Sequence, residues 1–255
     1  MSEIIAVVNN KGGVGKTTTV LALGHAWARK GKRILFVDFD SQANLTDTLV
    51  DDGVEYDETI MDAVKNESPI PVLRLNAHES VVPASLSLAN FDRNTSGRMA
   101  REFILADLLR PVRNDYDLIL IDCPPALGAI TYNALVAADH LVMVTTPDKF
   151  SYDGMSMMSN VFRTVRESGH LNSSLVLDGV VVTRYRKNKI NDVWLERLRT
   201  ELGTLLVEPV VREATRIQQA ASFRKNIYEF DPECGAVADY LAVSDELYRR
   251  IVKND

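Results

Sequence analysis

The 255-residue chain has only two cysteines, Cys123 and Cys234, and they lie far apart in the sequence. This pair provides neither a disulfide framework nor the closely spaced thiols of a zinc site. No apolar run approaches the ~20 residues that a membrane-spanning helix requires. The N-terminus has the pattern of a core strand, not that of a signal peptide. We therefore expect a cytoplasmic protein with reduced thiols.

Positive charge is also scarce, because 29 Lys and Arg stand against 35 Asp and Glu, which gives a net charge of −6. That balance argues against a general nucleic-acid binder, since the phosphate backbone attracts basic proteins. The charge is unevenly distributed, however. Residues 184–225 contain ten basic and five acidic residues, a local +5, so the rest of the chain carries −11. The sequence thus predicts one basic face on an acidic body.

The apolar pattern predicts a single α/β domain over residues 1–255. Near-continuous apolar runs alternate with helix-periodic stretches, as in a doubly wound, mostly parallel sheet with helices on both faces. The predicted strands are 3–8, 33–38, 70–75, 80–83, 117–122, 140–146, 175–183 and 206–211. The predicted helices are 16–30, one beginning near residue 42, 55–66, 97–113, 153–168, 190–202, 213–222 and 236–252.

A glycine-rich turn with the sequence NNKGGVGKTT occupies residues 9–18, between the first strand and the first helix. Such a turn directs backbone N–H groups to one point at a helix N-terminus, where the helix dipole also favours anions. Lys16 can reach the β- and γ-phosphates, and the Thr17 hydroxyl can ligate Mg²⁺. The turn predicts a nucleoside triphosphate site made by Lys11, Gly12, Gly13, Val14, Gly15, Lys16, Thr17 and Thr18.

Carboxylates follow two of the predicted strands. Asp38 and Asp40 share one side of the second strand because side chains alternate with a period of two, and Asp122 closes the apolar run 118–121. The carboxyl ends of strands are where open α/β sheets bind ligands. Asp122 has the Walker B arrangement, which commonly holds Mg²⁺ through a water. We predict that Thr17, Asp40 and Asp122 form the magnesium site.

The turn departs from the common form G-x-x-x-x-G-K-[ST], because Asn10 takes the place of the first glycine and Lys11 follows it. The string KGGVGKTT, placed after a strand and before a helix, resembles the ParA/MinD superfamily of "deviant Walker A" ATPases, whose signature is this early lysine. The resemblance continues through DFDSQ at 38–42 and through 122–158, and it covers nearly the whole chain.

The resemblance implies ATP and Mg²⁺ as cofactors and gives roles to individual residues. Asp40 corresponds to the second aspartate of D-x-D-P-Q, which positions the attacking water, and Ser41 replaces the proline. Lys11 crosses a dimer interface and touches the phosphates bound by the other subunit. ATP then joins two monomers into a homodimer, and hydrolysis times their separation. The implied catalytic residues are Lys11, Lys16 and Asp40.

The last third of the chain implies contacts outside the phosphate site. Residues 210–231 are similar to the family's adenine-side loop and its following helix, which places Val211 and Arg212 near the base, although the I-P-R-N string is lacking. ParA-type proteins carry cations that contact DNA phosphates, and two basic clusters fall at those positions. The implied DNA-binding residues are Arg184, Arg186, Lys187, Lys189, Arg216, Arg224 and Lys225. Without a base-reading helix, binding is expected to ignore sequence, and a merely solvated basic loop is the alternative.

Other members of the superfamily fit the sequence less well. A MinD-like membrane ATPase would end in a basic amphipathic helix, whereas 236–252 mixes acids and bases around one apolar stripe. An iron-protein-like reductase needs cysteines facing across a dimer, and a bacterial tyrosine kinase needs a C-terminal tyrosine cluster. A non-enzymatic scaffold would not need both Asp40 and Asp122. We expect a small ParA-type ATPase without an N-terminal helix-turn-helix, nucleoid-associated in its ATP state, with a ParB-like centromere-binding partner and no membrane anchor. A MinD-like ATPase that positions cargo at a surface is the alternative.

Overall fold

The computed structural model describes residues 2–51 and 53–252, except the side chains of Tyr152 and Asp153. The described strands form one eight-stranded sheet in the order β3-β4-β2-β5-β1-β6-β7-β8, and every neighbouring pair is parallel except β3 and β4. The strands are β1 (Glu3–Val8), β2 (Ile34–Asp38), β3 (Leu73–Arg74), β4 (Glu79–Val82), β5 (Leu118–Asp122), β6 (His140–Thr145), β7 (Val176–Val182) and β8 (Leu206–Val207).

Helices cover both faces of this sheet. The α-helices are α1 (Lys16–Ala28), α2 (Asn44–Leu49), α3 (Ile60–Asn66), α4 (Phe91–Thr95), α5 (Ile104–Leu109), α6 (Ala129–Ala137), α7 (Lys149–Glu167), α8 (Lys189–Leu202), α9 (Thr215–Ser222), α10 (Ile227–Phe230) and α11 (Gly235–Val252). Helices α1, α2 and α9 to α11 bury their apolar residues on one face, and α3 to α8 on the other. In β1, Ile4 and Ala6 face one core while Ile5 and Val7 face the other. The predicted doubly wound fold is confirmed.

The register of the central strands positions the site. Strand β1 lies between β5 and β6, and Val7 is paired with Asp122. Strand β2 lies on the other side of β5, where Asp38 is also paired with Asp122. The loops that leave β1, β2 and β5 therefore start at the same edge of the sheet, as the position of ligands in such sheets requires.

Two predicted helices are shorter in the structure. The predicted helix 97–113 is reduced to a 3₁₀ turn (Arg101–Phe103) followed by α5, which ends two residues before Pro111 because proline cannot donate the hydrogen bond that would continue the helix. Met99, an apolar residue of that stretch, is 96% exposed. The predicted helix 55–66 starts only at Ile60, where the side chains of Thr59 and Asp62 form a capping box.

Proline also shortens two predicted strands, because it cannot donate a ladder hydrogen bond. The predicted strand 70–75 contains Pro71 and pairs only at β3, and the predicted strand 206–211 ends at β8, just before Pro209. Helices α4, α6 and α10 were not predicted from the sequence. In the described part of the chain, no helix is long and apolar enough to cross a membrane.

A buried cluster of ionisable side chains lies at the opposite edge of the sheet, where β1 and β6 begin. His140, at the start of β6, contacts Asp178 through Nδ1 at 2.8 Å and Glu3 through Nε2 at 3.3 Å. Burial alone would lower the pKa of His140, but the hydrogen bond to Asp178 and the charges of Asp178, Glu3 and Asp139 raise it above its ordinary value. The cluster therefore stabilises the fold when His140 is protonated.

We expect Asp178→Asn to destabilise the protein by about 1–3 kcal/mol, because the buried imidazolium loses its main partner. Because the pKa of His140 is higher in the folded state, its protonation stabilises the fold fully at a pH below the unfolded-state pKa of about 6.5. This stabilisation is lost as the pH rises through the folded-state pKa of His140. The difference between wild type and variant should thus be largest at mildly acidic pH and shrink as pH rises. Urea unfolding across this range measures it, with Asp245→Asn, at the exposed pair with Lys30, as control. A difference that does not vary with pH would contradict the role of His140.

Candidate nucleotide site

The loop between β1 and α1 depends on its glycines. Gly13 has φ +74° and Gly15 has φ +91°, the left-handed region in which other residues are disfavoured. Gly15 is the residue that precedes α1, and its carbonyl accepts a hydrogen bond from Thr19 N at 2.8 Å. A Cβ at Gly15 would lie 3.4 Å from the Thr183 hydroxyl oxygen. The loop is therefore a backbone cradle closed against the end of β7, with the N-terminus of α1 at its centre.

Lys16 lies inside this cradle and is only 7% exposed. Its Nζ donates a hydrogen bond to the carbonyl oxygen of Lys11 at 3.0 Å. Burial lowers the pKa of Lys16, and the negative charge of Asp122 opposes that shift. A buried ammonium whose partners are the Lys11 carbonyl and the charge of Asp122 is well placed to neutralise phosphate oxygens.

Two of the three residues predicted to hold magnesium, Thr17 and Asp122, are in contact and fit a divalent cation, whereas for the third, Asp40, metal binding stays a prediction. The Thr17 hydroxyl donates to Asp122 Oδ2 at 2.6 Å, while Asp122 Oδ1 is buried without a hydrogen-bond partner in the described residues. Burial, reinforced by the charge of Asp38, raises the pKa of Asp122 to about 8. A cation would supply both the missing partner and the charge that keeps this carboxylate ionised. Thr17 and Asp122 would hold it, and nucleotide oxygens and waters would complete its coordination.

The two aspartates at the end of β2, Asp38 and Asp40, have different contacts in the structure. Asp38 is fully buried and accepts hydrogen bonds from both N and Oγ1 of Thr46, at 2.8 and 2.7 Å. It therefore anchors α2 instead of serving the metal, which differs from the expectation that both acids face the ligand. Asp40 borders the nucleotide cavity, and its Oδ1 accepts from Gln42 N at 3.0 Å. This placement is consistent with the role predicted for Asp40.

A cavity of about 430 Å³ opens over the loop. Of the predicted nucleotide residues, those on its wall are Gly12, Gly13, Gly15, Lys16, Thr17, Thr18, Val211 and Arg212. Val14 is not on the wall, because its side chain is buried in the core. The Arg212 guanidinium is paired with Asp239 of α11, with Nε to Oδ2 at 2.7 Å, so this ion pair fixes the arginine at the wall of the cavity.

Lys11 lies outside the cavity that contains Lys16. Its Nζ contacts both carboxylate oxygens of Asp148, at 3.0 and 3.1 Å, and the Ser151 hydroxyl at 3.0 Å. Burial would raise the pKa of Asp148, but hydrogen bonds from Thr146, Ser151 and Lys11 lower it to about 2. Lys11 is 36% exposed at its side chain and faces a second cavity of about 320 Å³. It does not duplicate Lys16 within one subunit.

Comparison with known proteins agrees with this geometry. Residues 2–177 match the family described as the AAA domain. The chain is 33% identical to the sporulation initiation inhibitor protein Soj of Bacillus subtilis, over 97% of this chain and 98% of Soj. It is 35% identical to the chromosome partitioning protein ParA of Myxococcus xanthus, over 98% and 89% of the two chains. The chain belongs to the ParA/MinD family of P-loop ATPases.

The same architecture is found in a solved structure from Mycobacterium smegmatis. That structure is described as a cobyrinic acid a,c-diamide synthase with bound ATP analogue and magnesium. Its TM-score is 0.85 at 25% identity, covering 98% of this chain and 95% of that one. For a ParA/MinD-type ATPase, the described cradle, buried lysine and Thr17–Asp122 pair are the parts that phosphoryl transfer needs.

The basic clusters of this ParA/MinD-type ATPase are largely paired with acids. A parallel bridge between Tyr185 and Arg212 brings the two clusters together. Arg184 and Arg186 both contact Glu213, and Arg216 contacts Asp231 at 3.0 Å. Arg224 donates to the Val50 carbonyl at 3.3 Å. Lys187, Lys189 and Lys225 are exposed, and no described acid lies within ion-pair distance of them. Fewer cations are thus available to DNA than the sequence suggested.

Several residues of the cavity were not predicted from the sequence. They are Gln42, Asn44, Pro125, Thr183, Arg184, Glu213, Ala214, Ile217, Gln218 and Tyr240. Gln42 and Asn44 could have been predicted, because they follow Asp40 closely in the sequence, at the end of the second strand where ligands bind. Glu213, Ala214, Ile217 and Gln218 lie in the segment 210–231 that resembles the family's adenine-side loop and its helix. Pro125 follows β5, Thr183 and Arg184 follow β7, and Tyr240 lies in α11, so only the fold brings these four to the cavity.

We expect Lys16→Ala to abolish nucleotide binding, because the cradle loses its buried cation. Asp40→Ala should retain ATP binding while turnover falls by roughly 10²- to 10⁴-fold, the usual effect of losing a group that assists proton transfer or water attack. Binding of a fluorescent ATP analogue and phosphate release measure the two effects separately. Asp47→Ala, at an exposed acid on α2, is the matched control. Normal turnover in Asp40→Ala would remove Asp40 from the mechanism.

Proposed function

We propose that this protein is a Mg²⁺-dependent ATPase that dimerises on ATP, binds DNA without sequence preference and segregates a plasmid, chromosome or mobile element. A ParB-like centromere-binding protein would be its adaptor, and the ATP state would associate with the nucleoid. Full-length similarity to Soj and ParA supports partitioning as the process. The observation that carries the mechanism is the position of Lys11, which is half-exposed beside the phosphate loop but outside its cavity.

Lys11 favours an ATP-sandwich dimer for a geometric reason. Its ammonium binds Asp148, which precedes α7, and Ser151 in α7, and Lys11 borders the second cavity but not the nucleotide cavity. A phosphate that reaches Lys11 from solvent would have to be presented by a second subunit. Such an exchange replaces one charge-assisted contact by another, so ATP can favour the dimer without a large apolar interface.

Sequence-independent DNA binding is supported by the exposed lysines. Lys187 lies in the loop that precedes α8, Lys189 is the first residue of α8, and Lys225 follows α9. A monomer offers few such cations, and a dimer doubles them. Since each phosphate contact adds to the dependence of affinity on salt, doubling the contacts makes DNA binding appear mainly in the ATP state.

The MinD-like alternative would require a helix with a free apolar face for the membrane surface. In α11 the apolar residues Val237, Val243 and Leu247 are buried, and the helix contacts α1 and β7. This favours a role for α11 in the core, and with it the partition function. Liposome binding in place of DNA binding by the ATP state would reverse that preference.

Dimerisation should depend on Lys11. Analytical ultracentrifugation of Asp40→Ala with ATP and Mg²⁺ is expected to show a dimer, and with ADP mainly monomer. Adding Lys11→Ala should return the ATP sample to monomer while ATP binding persists, because the lysine lies outside its own cavity. Adding Lys149→Ala, an exposed neighbour on α7, should leave the dimer intact. A dimer that survives Lys11→Ala would refute the bridging role.

DNA binding should depend on the exposed lysines. The double change Lys187→Glu with Lys189→Glu removes four phosphate contacts per dimer. The negative slope of log affinity against log salt should therefore become shallower by about 3 to 4. Dimerisation and basal ATPase should remain, because neither lysine borders the nucleotide cavity. A biosensor titration on unrelated duplexes at several salt concentrations measures this, with Lys65→Glu on α3 as control. An unchanged slope would place the DNA surface elsewhere.

A further inference from the structure

A single acid, Glu213, lies between the nucleotide cavity and the basic loop formed by residues 184–189. Its Oε1 accepts a hydrogen bond from Arg184 Nη2 at 3.2 Å, and its Oε2 accepts one from Arg186 Nε. Arg184 Nη1 also donates to the carbonyl of Gly13 at 2.7 Å. A continuous chain of contacts thus runs from the phosphate loop to Arg186. We name these four residues, Gly13, Arg184, Arg186 and Glu213, the Glu213 junction.

The junction forms the wall between two cavities. Gly13, Arg184 and Glu213 line both the nucleotide cavity and the second cavity beside Lys11, whereas Arg186 lines only the second. Glu213 and the phosphate loop border the same cavity, so a triphosphate bound there would add negative charge near the Glu213 carboxylate, and like charges repel. The cations on the other side of the wall depend on that same carboxylate.

The backbone holds the junction in register. Tyr185 N donates to the Val211 carbonyl at 3.1 Å, and Glu213 N donates to the Tyr185 carbonyl at 2.9 Å. Arg184 has φ +54°, a left-handed conformation that is uncommon for a residue with a side chain. Its guanidinium contacts the phosphate loop and Glu213, although the side chain is 45% exposed. Because the Arg184 guanidinium is engaged at the phosphate loop, we assign the DNA contact to Arg186.

We propose that Glu213 is an internal counter-ion that neutralises the basic loop until nucleotide phosphates displace it. Without nucleotide, one carboxylate compensates both Arg184 and Arg186. With ATP bound, repulsion by the phosphates weakens this pairing, and Arg186 becomes available to DNA. This inference rests on the proposed DNA-binding function, and it adds a switch within each subunit to the effect of dimerisation.

The test compares Glu213→Gln with wild type on a duplex of random sequence, without nucleotide and with ATP. Release of Arg186 corresponds to about one phosphate contact, so at 0.1 M salt the nucleotide-free variant should bind DNA roughly tenfold more tightly than wild type. With ATP, the difference should shrink, because wild type has already released its loop. Glu208→Gln is the matched control, since Glu208 is an exposed acid paired with Arg199 in the neighbouring segment.

Two further measurements make the result decisive. Adding Arg186→Gln to Glu213→Gln should remove most of the gain, because Arg186 is the cation that is released, and thermal unfolding with a fluorescent ATP analogue verifies that each variant folds and binds nucleotide. If wild type binds DNA with ATP but Glu213→Gln behaves like Glu208→Gln without nucleotide, the counter-ion role is overturned. If wild type with ATP does not bind DNA at any salt concentration, the proposed function itself fails, and this inference with it.

Discussion

The site depends on the parallel register of β1, β2 and β5. Pairing Val7 and Asp38 with the same residue, Asp122, makes three strands end at one level. Strand pairing alone therefore places the phosphate loop, Asp40 and Asp122 next to one another. A shift of one residue would turn each side chain to the other face of the sheet, so the two apolar cores that flank the sheet also fix the chemistry at its edge.

The parts of the fold and site that were predictable are those encoded locally. Buried parallel strands produce continuous apolar runs, and the cradle needs glycine at Gly13 and Gly15, where φ is positive. Helix ends were less predictable, because Pro111 and the Thr59 cap override the apolar periodicity. The contacts of Asp38 were not predictable, because its partner, Thr46, belongs to the next helix and the period-two alternation applies only within the strand.

Charge pairing was the least predictable property. Sequence counts gave residues 184–225 a local charge of +5, but the acids that neutralise several of these cations include Asp231 and Asp239, which lie outside that window. Glu213 lies inside it and compensates two arginines at once. Whether a cation is available to a ligand depends on its neighbours in space, and the parallel bridge between Tyr185 and Arg212 decides those neighbours here.

These pairings have a common physical consequence. Lys16 binds the Lys11 carbonyl, Lys11 binds Asp148, and Arg184 binds both Gly13 and Glu213. Each cation near the phosphate loop is therefore satisfied before any phosphate arrives, so ligand binding exchanges partners instead of creating new ones. An exchange recovers only the difference between two charge-assisted contacts, which is small compared with either contact. The net gain from each cation is therefore small, which suits the reversible, nucleotide-dependent dimer that we propose for this protein.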